Sequence, residues 1–153
     1  MPPLLDGDSR LRVLLLGHGS ERFAASYLRS HPQHESRLIA GGSRASYDLA
    51  CHLAACDVVM QPYPDGVTSR RTTLMASLAL GLPIVTTSGP LTEGLWEKSD
   101  AVVLAPVGWE NALAEGVQLL LADRARRDEI SRKARDLYQR QFSLEHTIQL
   151  LRS

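Results

Sequence analysis

Cysteine is scarce. Cys51 and Cys56 are the two in the chain, and their spacing on one expected helix suits neither a disulfide nor a zinc knuckle, so both are read as reduced thiols at or near the core. His18, His31, His34, His52 and His146 are scattered without the spacing of metal ligands, and no metal site is expected. Aromatic residues make up only 5% of the chain, and acidic and basic residues balance at 17 each. That excludes both the stacking platform and the basic groove of a nucleic-acid binder. No apolar run approaches the roughly 20 residues of a membrane span, and Met-Pro-Pro followed by Asp6 and Asp8 is not the pattern of a secretory signal. A cytoplasmic chain with small-molecule or protein partners is the expectation.

Familiar catalytic signatures are absent too. Gly17-His18-Gly19 opens like a dinucleotide fingerprint, but Arg22 stands where the third glycine belongs. No Lys followed by Ser or Thr closes a phosphate loop, and there is no G-x-S-x-G elbow.

Present instead is a steady alternation of short apolar runs with helix-like stretches. At 44% hydrophobic and 22% charged residues over 153 positions, the composition fits one globular domain, 1–153. Strands are expected over Arg12 to Leu16, Arg37 to Ala40, Asp57 to Gln61, Pro83 to Thr87 and Ala101 to Ala105. Helices fit near Ser20 to Ser30, Ser46 to Ala55, Arg71 to Leu80 and Leu91 to Lys98, and three more close the chain, Trp109 to Leu121, Ala125 to Gln141 and Leu144 to Arg152. Asp123 and Ser143 are expected N-caps. The basic residues from Arg124 to Arg135 alternate with acidic ones and read as a solvated helix face. The fold class is α/β, a doubly wound Rossmann-like parallel sheet of about five strands flanked by helices.

Each strand is followed by a loop rich in glycine: Gly17-His18-Gly19, Gly41-Gly42-Ser43, the loop from Pro62 to Arg71, Ser88-Gly89-Pro90 and Pro106-Val107-Gly108. In a parallel sheet these loops share the carboxyl edge, where backbone amides approach ligands. The richest is Pro62 to Arg71, because Ser69, Arg70, Arg71 and Thr72 lie at the start of a helix whose first N–H groups have no internal partner. Two guanidiniums beside those amides suit a phosphate or diphosphate. The competing assignment for the arginine pair is a surface ion pair with Asp65 or Glu93, the loop carboxylates also considered for work on a substrate.

Taken in order, these segments resemble the carboxyl-terminal, donor-binding domain of GT-B glycosyltransferases, in particular the large retaining family 4 (glycosyl transferases group 1). RVLLLGHGSER is similar to that family's strand and glycine-rich turn. LACHLAACDVVMQPYPDGV resembles its L-A-x-x-L-x-x-A-D-V-x-x-x-P segment, LMASLALGLPIVTT its L-E-A-M-A-x-G-L-P-V-V-A-T signature, and SGPLTEGLW the turn that follows. The closing helices through Phe142-Ser143 are similar as well.

The resemblance implies metal-independent transfer of a sugar from a nucleoside-diphosphate sugar to an acceptor hydroxyl, with retention of configuration and no cofactor. It puts Asp65 and Gly66 near the sugar hydroxyls, Ser69, Arg70, Arg71 and Thr72 at the diphosphate, and Gly17, Gly19, Ala40 and Gly41 against base and ribose. No catalytic residue is assigned. The chain also departs from the family. Ala76 stands where the second of a pair of glutamates is usual, and Asp65 replaces the first only with a short insertion. Only Met1 to Leu11 precede the first matching strand, so the resemblance implies a piece truncated on its amino-terminal side, separated from its acceptor domain, inactive alone and able to self-associate through the exposed face. Two readings of other classes stay open: a non-catalytic nucleotide- or anion-binding module, and an interaction domain whose last helices dock a protein.

Overall fold

Short β-branched and leucine-rich runs do pair in parallel, but as two ladders. In the computed structural model, which describes residues 1–109 and 111–152, β1 (Val13–Leu16) pairs with β2 (Leu38–Gly42), while β3 (Val59–Gln61), β4 (Ile84–Ser88) and β5 (Val103–Pro106) form a three-stranded parallel sheet in that order. The chain holds two compact units, residues 1–52 and 53–153. The α/β, Rossmann-like character expected from the alternation is found in the element order, with every strand followed by a helix.

In the first unit, α2 (Ser20–Ser30) connects β1 to a 3-10 turn over Pro32–Arg37, and α3 (Ser46–Ala54) follows β2. A helix not expected from the sequence, α1 (Pro2–Gly7), precedes β1. Its prolines occupy the first helical positions, where a missing N–H costs nothing, and buried Leu4 and Leu5 anchor it. Its carboxyl end is held from a distance, since Arg37 donates to the carbonyls of Leu5 at 2.7 Å and Asp8 at 3.0 Å. Below it His34, fully buried, bridges the Tyr27 hydroxyl (2.7 Å) and the Asp6 carboxylate (2.8 Å). These partners lie far apart in sequence, which is why local pattern did not reveal the helix.

In the second unit, α4 (Thr72–Ala79) joins β3 to β4, α5 (Gly94–Ser99) joins β4 to β5, and α6 (Ala112–Ala122), α7 (Arg124–Gln141) and α8 (Leu144–Arg152) close the chain. Its core gathers Val67, Leu74, Leu78, Ile84, Trp96 and Leu137. Gly81 follows α4 at φ 64°, the left-handed turn that glycine supplies at helix ends. Asp123 accepts from the Arg126 N–H and Ser143 from that of His146, as N-caps do.

Several bounds differ from expectation for identifiable reasons. Helix α5 begins at Gly94 rather than Leu91 because Glu93 at its N-cap is extended, with φ −75° and ψ 141°, and the preceding Leu91 and Thr92 make turn bonds to Asp65 and Gly89. Helix α6 begins at Ala112 rather than Trp109; the expected range includes Glu110, outside the described residues. The thiol of Cys51 is exposed on α3 rather than at the core, and α3 ends before Cys56, whose thiol is pushed up by burial and by the neighbouring Asp57 carboxylate. No helix among the described residues is long and apolar enough to cross a membrane.

Candidate functional site

The loop between β3 and α4 is knitted to the end of β4. Thr87 accepts the Tyr63 N–H at 2.8 Å and donates its hydroxyl to the Tyr63 carbonyl at 2.6 Å, and its own carbonyl takes the Val67 N–H at 2.8 Å. Thr86 donates to the Gln61 carbonyl at 2.7 Å. The Gln61 side chain in turn reaches the Thr73 carbonyl and the Ser77 hydroxyl on α4. The buried threonines at the end of β4 thus give their hydroxyls to the backbone of the last β3 residue and of the loop that follows it. The result is a rigid platform at the carboxyl edge of the three-stranded sheet.

Gly66 sits in that platform, not on its surface. It is buried, has φ 92°, and lies against the backbone of Gly89, so that a Cβ built on it would come within 2.6 Å of the Gly89 nitrogen. Packing requires glycine here. Asp65 remains exposed, with its carbonyl taken by the Leu91 N–H at 2.9 Å.

The arginine turn follows. Arg71 is the N-cap residue of α4 and lays its guanidinium over the Tyr63 ring, 4.6 Å from the centroid. The Tyr63 hydroxyl is itself held by Gln61 and Thr73, so the platform under the cation does not swing freely. Arg71 Nε is buried and has no hydrogen-bond partner among the described residues. Arg70 is exposed, as is Thr72. Among the described residues neither guanidinium forms an ion pair, so the alternative of a pair with Asp65 or Glu93 is not what the structure shows.

Ser69 behaves differently from its neighbours. Both its N–H and its hydroxyl donate to Glu93, each at 2.7 Å, and the same carboxylate takes the Trp96 indole N–H at 2.9 Å. The donors expected to meet a phosphate at this residue are thus already satisfied from within the chain. Burial alone would raise the Glu93 carboxyl, but the bonds from Ser69 and Trp96 and the nearby Arg70 charge outweigh it and hold the group below its ordinary range. Because the folded value is the lower one, the tether is complete above pH 4.5, the ordinary value, and is lost as the pH falls through the lowered one. In a Trp109→Phe background, where Trp96 alone reports, an acid step in tryptophan fluorescence below pH 4.5 is expected, and Glu93→Gln is expected to abolish it. A step that survives in Glu93→Gln would assign it to another group.

The first unit carries an open cleft of about 430 Å³, lined by His18, Gly19, Glu21, Arg22 and residues 41–44. Of the residues expected against a nucleoside, Gly19 and Gly41 line it, and Gly17 and Ala40 do not. The Gly17 N–H is spent on the Gly42 carbonyl at 2.9 Å, and Ala40 lies within β2 opposite Leu15. A Cβ on Gly41 would fall 2.7 Å from a terminal methyl of Leu16, which would have to move aside, and 3.3 Å from the Leu15 carbonyl. Sequence reasoning missed Arg22 and Arg44 at this cleft and Tyr63 and Thr87 at the arginine turn, and it considered Glu93 for an ion pair or substrate rather than for the bonds to Ser69 and Trp96. Arg22 had a visible signal, its place at the missing third glycine; the others had none, because their partners are remote.

The family model described as glycosyl transferases group 1 matches residues 1–123. No curated protein matches the chain. Among solved structures, Anabaena HepE in complex with UDP is 20% identical with a TM-score of 0.75, over 97% of this chain and 43% of that one. Sucrose-phosphate synthase from Thermosynechococcus elongatus is 24% identical with a TM-score of 0.73, over 92% and 38%. A glycosyltransferase from Rickettsia africae is 14% identical with a TM-score of 0.74, also over 92% and 38%. At these identities the likeness is one of fold, and the chain spans less than half the length of each of these proteins.

Proposed function

The chain belongs to the glycosyl transferases group 1 family, and from that premise we propose that it is the donor-binding part of a retaining, metal-independent glycosyltransferase, with the arginine turn receiving the diphosphate of a nucleoside-diphosphate sugar. The observation that carries the proposal is Arg71: a cation stacked on a braced tyrosine that forms no ion pair among the described residues. A guanidinium held flat on a ring and outside any ion pair is poised to pair with an anionic ligand at the turn through its terminal N–H groups. The HepE structure holds UDP, the class of ligand proposed.

Charge on the leaving diphosphate grows as the glycosidic bond breaks. Fixed donors aimed at that charge stabilise the transition state more than the ground state. Arg70 and Arg71 supply the cations, and the Thr72 end of α4 supplies a weaker field. Asp65, exposed beside the turn, is left to meet sugar hydroxyls. Gly66 is withdrawn from that role by its burial against Gly89, and Ser69 by its bonds to Glu93. Acceptor recognition is proposed to lie in the part of such enzymes that this chain does not cover, so that these residues alone bind donor without turnover.

Calorimetric titration with nucleoside diphosphates tests this. At least one of the uridine, guanosine and adenosine diphosphates is expected to bind and to raise the melting temperature, by about 2.7 kcal/mol of added stability at a hundredfold excess over Kd. No binding by any of the three would refute the proposal.

A further inference from the structure

We infer that Glu93 is a positioning residue of this site, which bolts the arginine turn to the hydrophobic core and so holds Arg70 and Arg71 where an anion meets them. The inference rests on the reading above of what the turn binds.

The two ends of the turn are anchored by burial, since Val67 and Leu74 are each 0% exposed. Between them the backbone has one internal bond, the Arg71 N–H to the Thr68 carbonyl at 3.2 Å. The remaining restraint on the residue just before the arginines comes from Glu93. One of its carboxylate oxygens takes the Ser69 hydroxyl; the other takes the Ser69 N–H and the Trp96 indole N–H. Trp96 is 1% exposed and packs in the same cluster as Val67 and Leu74. Side chains fixed in a core transmit that fixity to whatever they hold by hydrogen bonds. The path from core to cation therefore runs Trp96, Glu93, Ser69, Arg70.

Simple electrostatics assigns Glu93 the opposite role. A carboxylate beside a diphosphate repels it, and one that occupies Ser69's donors competes with it, so removing the charge would tighten anion binding. Positioning demands weaker binding despite the lost repulsion. The two roles differ in sign, which makes them separable.

The test titrates inorganic pyrophosphate into the wild-type chain, Glu93→Gln and Glu93→Ala, and follows amide exchange in each without ligand. Binding by Glu93→Ala is expected to be about tenfold weaker, below the roughly 100-fold that an ångström of misplacement can cost. Glu93→Gln should recover part of this, because its carbonyl oxygen still accepts from Ser69. Faster exchange is expected to be confined to residues 69–72. Tighter binding by Glu93→Gln, unchanged exchange at those residues, or exchange raised throughout the second unit would each overturn the inference. A wild-type chain that binds neither pyrophosphate nor any nucleoside diphosphate would instead overturn the nucleotide-sugar reading, and with it the site that Glu93 serves.

Discussion

Arg71→Ala weakens the binding of nucleoside diphosphate by about 10- to 100-fold, the loss that corresponds to a charge-assisted hydrogen bond of roughly 1.5 to 3 kcal/mol. Arg71 should exceed Arg70 in this respect for a structural reason. Its guanidinium is already ordered over Tyr63, so little side-chain entropy remains to be lost on binding, whereas exposed Arg70 must give up roughly 2 kcal/mol of rotamer freedom. Both cations outweigh the helix end, whose field contributes only about 0.3 to 1 kcal/mol. Arg71→Lys is not expected to restore affinity, because an ammonium neither stacks as a plane on the ring nor donates as a fork. Calorimetry on the single and double variants measures this, and an affinity unchanged in Arg70→Ala/Arg71→Ala would return the pair to a solvated surface.

Gly66→Ala is expected to destabilise the protein by about 2 to 5 kcal/mol, the sum of left-handed backbone strain and overpacking. The added Cβ meets the Thr92 hydroxyl and the nitrogen and Cα of Gly89, the latter two at 2.6 and 3.0 Å. These neighbours cannot retreat independently, since the Gly89 N–H donates to that same Thr92 hydroxyl at 2.9 Å. Glycine is required on the other side as well, where a Cβ on Gly89 would lie 2.9 Å from the Asp65 carbonyl. At about 2 to 4 °C per kcal/mol for a chain of this size, thermal unfolding should shift down by roughly 10 °C. A melting temperature within about 2 °C of wild type would mean that the turn rearranges, and that this close approach does not set the platform.

The residues of the arginine turn differ in how far their sequence context reveals them. Arg70 and Arg71 could be singled out because two cations at the start of an expected helix, after a strand and a loop with Pro and Gly, form a local pattern. Gly66 is singled out by the resemblance, which puts it near the sugar hydroxyls, whereas its close approach in the structure is to Gly89 of the same chain, a contact that no local pattern carries. Ser69 looked like a phosphate donor until its acceptor was known. Helix α1 escaped because Pro2 and Pro3 read as a break, while the groups that stabilise it, Arg37 and His34, lie 32 and 28 positions from their partners in it.

Burial periodicity and the punctuation by Gly, Pro and capping residues are local properties, carried by each stretch of chain wherever it folds. From them alone the order of strands and helices, the parallel α/β class, the caps at Asp123 and Ser143 and the stop at Gly81 could be read. Which acceptor each polar group finds is not local: Ser69 meets Glu93, and Tyr63 meets Thr87, each across 24 positions. Only once the chain had folded did Ser69 have its donors filled and Arg71 its buried nitrogen left without a partner among the described residues, because a hydrogen bond is decided by distances of a few ångströms that no spacing along the sequence encodes.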